Sequence, residues 1–124
     1  KRFEIAKNNT ERLKDILKSG ELDDFISITE SEALMIHSLM LSSDPYYILM
    51  KPNTLEAINK VLEFRRETKL HLSFTLDAGS NVHLLYPKSE TEIITKFIDD
   101  ELLILCKSKS CIHDHLGNGA TKIR

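Results

Sequence analysis

Two apolar runs separated by five small or polar residues constrain this chain more than any other feature. Leu70 to Leu76 reads as one strand and Val82 to Tyr86 as a second, with Asp77, Ala78, Gly79, Ser80 and Asn81 between them. So short a link between two apolar runs is a hairpin-like connection. Gly79 permits positive φ, and Asp and Asn side chains bond readily to nearby backbone. The turn leaves one carboxylate, Asp77, at the end of a buried strand. A run of backbone N–H groups beside it can form an anion-binding nest. Two readings stay open. An aspartate ahead of a glycine is what an ordinary turn uses, and a positioned acid or base facing a phosphorylated ligand uses the same residues.

Helices flank this hairpin. Ala6, Leu13, Ile16 and Leu17 share one helical face from Arg2 to Lys18, and Gly20 suits the position after the cap. Leu22, Phe25 and Ile26 begin a second helix, whose apolar face continues through Ala33, Ile36, Leu39 and Met40 to Leu41. Thr29 with Glu32 fits a capping box, which allows a break there. Tyr46 to Met50, short and apolar, reads as a strand. Asn53 with Glu56 caps a helix that buries Leu55, Ile58, Val61 and Leu62 and ends near Glu67. Arg65, Arg66 and Lys69 suit its C-terminal dipole and read as a solvated face. After Pro87, Ser89 with Glu92 opens a helix whose apolar residues are Ile93, Ile94, Phe97, Ile98, Leu102 and Leu105. Ser110 to Leu116 alternates loosely, as a final strand would.

The order after the two leading helices is strand, helix, strand, strand, helix, strand. That is the split βαβ (βαββαβ) pattern of ferredoxin-like domains. The expected fold is therefore α+β: a four-stranded antiparallel sheet with helices on one face, preceded by two helices. At 124 residues the chain is one domain, residues 1–124, long enough to bury a real core. Because it begins at Lys1 inside a helical pattern, it reads as a piece of a longer protein.

A formal net charge of −2 gives no electrostatic case for nucleic acid or an anionic membrane surface. No apolar run approaches the roughly eighteen residues that span a bilayer. Two cysteines make a disulfide framework unneeded, so reduced thiols and a cytoplasmic location are expected. Cys106, Cys111, His113 and His115 follow a C-x4-C-x-H-x-H spacing that is not a common zinc pattern, and no metal site is expected. No G-x-x-x-x-G-K-[ST] phosphate loop occurs; Gly117 to Lys122 is a weak echo in what reads as a flexible tail. His37, in mid-helix among apolar residues, reads as a half-buried, hydrogen-bonded side chain.

The stretch Thr75-Leu76-Asp77-Ala78-Gly79-Ser80-Asn81 resembles the T-x-D-A-G-P-N strand-turn of the diphosphomevalonate decarboxylases of the GHMP kinase superfamily, with Ser80 where that family usually has Pro. Glu30 to Ser38 resembles the family's E-S/A-x-A/G-L-x-M-H-A helix, with Ile36 and Ser38 in place of Met and Ala. Pro45 to Met50 and the helix ending Glu63 to Glu67 are similar as well, and order and spacing agree from Phe3 to Gly119. The resemblance implies the C-terminal domain of an enzyme that uses ATP and Mg²⁺ to convert mevalonate 5-diphosphate to isopentenyl diphosphate, phosphate and CO₂. It places Asp77 at the substrate's 3-hydroxyl as the catalytic group. Ala78, Gly79 and Asn81 line the substrate, and His37 supports them. It implies an N-terminal domain of the same chain as partner and holder of the ATP loop, and a homodimer is among the assemblies allowed for. Alternatives are a non-catalytic ferredoxin-like binding module, a decarboxylase of the monophosphate, or a relative that only phosphorylates.

Overall fold

Gly20 takes the left-handed conformation that its missing Cβ permits, and its N–H caps the Ile16 carbonyl. It thereby ends α1 (Arg2–Ser19) and turns the chain into α2 (Leu22–Leu41). The computed structural model describes residues 1–123. The α2 helix is unbroken at Thr29, because Glu32 is engaged elsewhere. Its carboxylate accepts from Arg2 Nη2 and Asn9 Nδ2, both at 2.6 Å, and so fastens α1 to α2.

The next helix, α3 (Pro52–Thr68), starts at a proline, which suits the first turn. Its start is held by Thr54, whose Oγ1 accepts the Lys51 N–H at 3.1 Å. Asn53, expected as the cap, instead donates to the Leu105 carbonyl at 3.0 Å and ties α3 to the end of the last helical run. That run comprises a 3-10 turn (Lys88–Glu90), α4 (Thr91–Phe97), a π turn (Ile98–Leu102) and a second 3-10 turn (Leu103–Leu105). Expectation was a single regular helix. The wider turn, closed by Leu103 N–H on the Ile98 carbonyl, keeps Ile94, Ile98 and Leu102 on one buried line.

β1 (Ser73–Leu76) and β2 (Val82–Leu85) pair antiparallel, with Ser73 opposite Leu85, Phe74 opposite Leu84, Thr75 opposite His83 and Leu76 opposite Val82. Phe74, Leu72 and Leu76 pack with Ile58 and Val61 of α3, with Ala33 of α2 and with the Ile94 line in one core.

The chain is thus α+β, but among the described residues the sheet has two strands, not the expected four. Tyr46 to Met50 forms no strand. Its Tyr47 N–H donates to the Met40 carbonyl at 2.8 Å, and Tyr46, Tyr47 and Ile48 are exposed. The free edge of β1 is met by α2 instead, where Glu30 Oε1 lies 3.4 Å from the Phe74 N–H. Ser110 to Leu116 also forms no strand. Ile112 and Leu116 are almost wholly exposed, so the alternation has no apolar surface to register against.

The helix faces need correction too. α2 turns Ile26, Ala33 and His37 inward, whereas Ile36 and Leu39 are exposed. Leu17, Leu55, Leu62 and Ile93, expected inside, are likewise exposed. Arg65 is not solvated. It pairs with Glu30 (Nη2–Oε2 3.0 Å) and donates to the Leu72 carbonyl at 2.9 Å, joining α2, α3 and the approach to β1.

Candidate active site

Side chains alternate along a strand, so Asp77 shares a face with Thr75, two residues before it. Thr75 stands directly opposite His83. The pleat therefore brings His83 beside Asp77, with Nε2 3.5 Å from Oδ2. This is an exposed pair: the Asp77 side chain is 48% and that of His83 56% accessible. Water screens it, and its attraction is small.

The backbone under Asp77 is held from behind. His37 is only 2% exposed, and its Nε2 lies 2.9 Å from the Asp77 carbonyl. At the far side of the turn, Thr54 is 3% exposed and its hydroxyl donates to the Ser80 carbonyl at 2.8 Å. Outside the β1–β2 ladder and the helices, none of the main-chain hydrogen bonds among the described residues involves the turn residues. Gly79 does not use positive φ. What it provides is room, because a Cβ there would stand 3.2 Å from Asp77 Oδ1.

In the turn, Asp77, Ala78 and Asn81 are exposed and Gly79 is half-buried. His37 approaches from the interior and touches main chain. Two residues of the site escaped the sequence reading. His83 was legible from strand parity once the hairpin register is assumed. Thr54 was not, since nothing local links it to a carbonyl 26 positions away.

Asp77 lines neither of two open cavities. One is a groove of about 320 Å³ between α1, α2 and β1, lined by Asn9, Glu32 and Thr75 among others; the other lies between α3 and the last helical run. Burial pulls the Glu32 carboxyl up, but hydrogen bonds from Asn9 and Arg2 and the Arg2 charge outweigh it, so its pKa lies below the ordinary carboxylate value. In the tail, Cys111 Sγ is 3.3 Å from His113 Nε2. Burial and the charges of Cys106 and Asp99 push the Cys111 thiol up. Among the described residues, no three His, Cys, Asp or Glu side chains converge as metal ligands. No helix there is long and apolar enough to cross a membrane.

Residues 1–120 match the family model described as the mevalonate 5-diphosphate decarboxylase C-terminal domain. No curated protein sequence matches the chain. Among solved structures, the chain is similar to a mevalonate diphosphate decarboxylase from Legionella pneumophila, at 28% identity and TM-score 0.74, over 80% of this chain and 31% of that one. A mevalonate pyrophosphate decarboxylase from Streptococcus pyogenes has TM-score 0.75 at 22% identity, over 79% of this chain and 31% of that one. A further structure, of MDDEF in complex with MVAPP, AMPPCP and magnesium, has TM-score 0.71 at 23% identity, over 77% of this chain and 29% of that one. The chain spans about three-tenths of the length of the structures it matches. A family model that covers nearly the whole chain, on a fold whose acidic turn stands open at one edge, leads to one conclusion: the chain belongs to the mevalonate 5-diphosphate decarboxylase C-terminal domain family.

Proposed function

We propose that this chain is the substrate-side domain of an ATP-dependent decarboxylase of the GHMP kinase type. The reaction takes mevalonate 5-diphosphate and ATP to isopentenyl diphosphate, ADP, phosphate and CO₂. Family membership supports the reaction class, and the ligands of the related complex support the substrate and nucleotide by analogy. The observation that carries the reading is Asp77: an open carboxylate on a backbone anchored by a buried histidine. There it accepts the proton of the substrate's 3-hydroxyl as that oxygen is phosphorylated. Its charge also favours the positive charge that develops as phosphate leaves. Ala78 and Gly79 leave space for the substrate, and Asn81 offers a polar side chain. His37, being buried, supports the turn from behind.

The sequence carries no G-x-x-x-x-G-K-[ST] loop to cradle a nucleotide's phosphates. We assign ATP and Mg²⁺ to an N-terminal domain outside this chain. Exposed Ile36 and Leu39 on one flank of α2 and the exposed Tyr46 to Ile48 segment offer that domain apolar surface. Free Cys106 and Cys111 suit a reducing, cytoplasmic setting.

Asp77→Asn in the complete enzyme tests the reading. Asn keeps the shape and removes the charge, so kcat should fall about 10²–10⁴-fold with KM less affected. Phosphate and CO₂ release are the readouts. A variant that keeps more than about a tenth of wild-type kcat makes Asp77 a turn residue only.

A further inference from the structure

We propose that His37 and Thr54 are positioning residues that clamp the acidic turn at its two ends and so set where the Asp77 carboxylate points. The proposal rests on the reading of Asp77 as the acting carboxylate. Outside the β1–β2 ladder and the helices, no main-chain hydrogen bond among the described residues involves positions 77–81. Two side-chain contacts hold it instead, one to the Asp77 carbonyl from α2 and one to the Ser80 carbonyl from α3. Both side chains are almost wholly buried. Burying an imidazole or a hydroxyl is unfavourable unless it is hydrogen-bonded, and here the partners are the two carbonyls that bracket the turn. The Thr54 hydroxyl is used in both directions: it donates to Ser80 and accepts from the Lys51 N–H.

The jaws stand on a joined frame, since the Glu30–Arg65 pair fastens α2 to α3. The Asp77 side chain is short and rides on the backbone whose carbonyl His37 meets; Gly79, having no Cβ, leaves Oδ1 clear on one side, and His83 approaches on the other. A turn released at either end would therefore carry the carboxylate with it. A displacement of about 1 Å at a reacting group costs up to about 10²-fold in rate.

The test is a set of variants of the complete enzyme. Thr54→Val keeps the side chain's shape and loses its hydroxyl; His37→Leu keeps a buried side chain and loses the Nε2 donor to Asp77. Each should lower kcat about tenfold or more, with KM little changed. Thr54→Ser, which keeps the hydroxyl, should restore most of the rate. Because both residues act through Asp77, neither variant should lower kcat further when combined with Asp77→Asn. A loss of less than about twofold in both single variants, while Asp77→Asn is severely impaired, overturns the clamp and leaves the Asp77 reading standing. An undiminished loss in the Asp77→Asn background assigns both residues to stability alone and also overturns it. An active Asp77→Asn enzyme removes the underlying reading and the clamp together. One readout needs no variant. A carbonyl only accepts, so His37 Nε2 must carry a proton. Nitrogen NMR of the wild-type enzyme that finds the proton on Nδ1 alone overturns the clamp, and one on Nε2 supports it.

Discussion

β1 and β2 lie side by side in one hairpin, yet they are built for different environments. Ser73, Phe74 and Leu76 of β1 are buried, so the strand is covered on both faces. β2 alternates instead: Val82 and Leu84 are half-buried, while His83 and Leu85 look outward. Asp77 stands where the covered strand gives way to the open one. An acting carboxylate needs a fixed backbone and an accessible side chain together. The first comes from β1 and the side chains behind it, the second from the turn and the outer face of β2.

If that division is real, equivalent insults to the two strands should differ most. Phe74→Ala removes a ring from the centre of the core and should cost about 3–5 kcal/mol. Leu85→Thr, on the outward face, should stay within about 0.5 kcal/mol. Urea unfolding of the two variants decides it, and similar losses would erase the distinction.

A smaller effect is expected where α2 meets the free edge of β1. Glu30→Ala leaves the Arg65 guanidinium, only 24% accessible, without its carboxylate. The expected loss is about 2–4 kcal/mol. A change below about 0.5 kcal/mol in the same assay would reduce the pair to an ordinary surface ion pair.

The smallest effect concerns the α1–α2 junction, remote from the hairpin. The Glu32 pKa is lower in the folded chain than its ordinary value of 4.5. Its contribution is therefore fully present above that value and is lost as pH falls through the lower folded one. It should amount to less than about 1 kcal/mol. Comparison of acid unfolding between wild type and Glu32→Gln checks it: the variant should be less stable near neutrality, and the gap should close below about pH 4. A gap that persists in acid would point to packing, not charge, at the junction.

Several of these contacts were out of reach of the sequence for an identifiable reason. The α2 helix carries apolar residues around much of its circumference, from Ile26 and Ala33 to Leu34, Ile36 and Leu39. Periodicity shows that such a helix has an apolar face without choosing which one is buried. The choice fell on the line through Glu30, Ala33 and His37, because that line carries both the partner for Arg65 and the support for Asp77. Tyr46 to Met50 has strand composition, but α2 stands against the free edge of β1, so composition overstated it. The Asp77 turn was the opposite case: its residues, its place after an apolar run and its family resemblance all stood in one short stretch.

The sequence by itself determined what depends on neighbours along the chain. The hairpin, the presence of helices on either side of it, the stop at Gly20 and the carboxylate at position 77 all follow from backbone preference and local hydrophobic period. Tertiary structure decided what depends on partners far apart. Glu30 and Arg65 are separated by 35 positions, and His37 lies 40 from Asp77. Whether such a polar side chain is solvated or bonded depends on burial, and burial exists only once the helices are docked. That is why Arg65 became a tie between elements, Glu32 a fastener for α1, and His37 a support under the acidic turn.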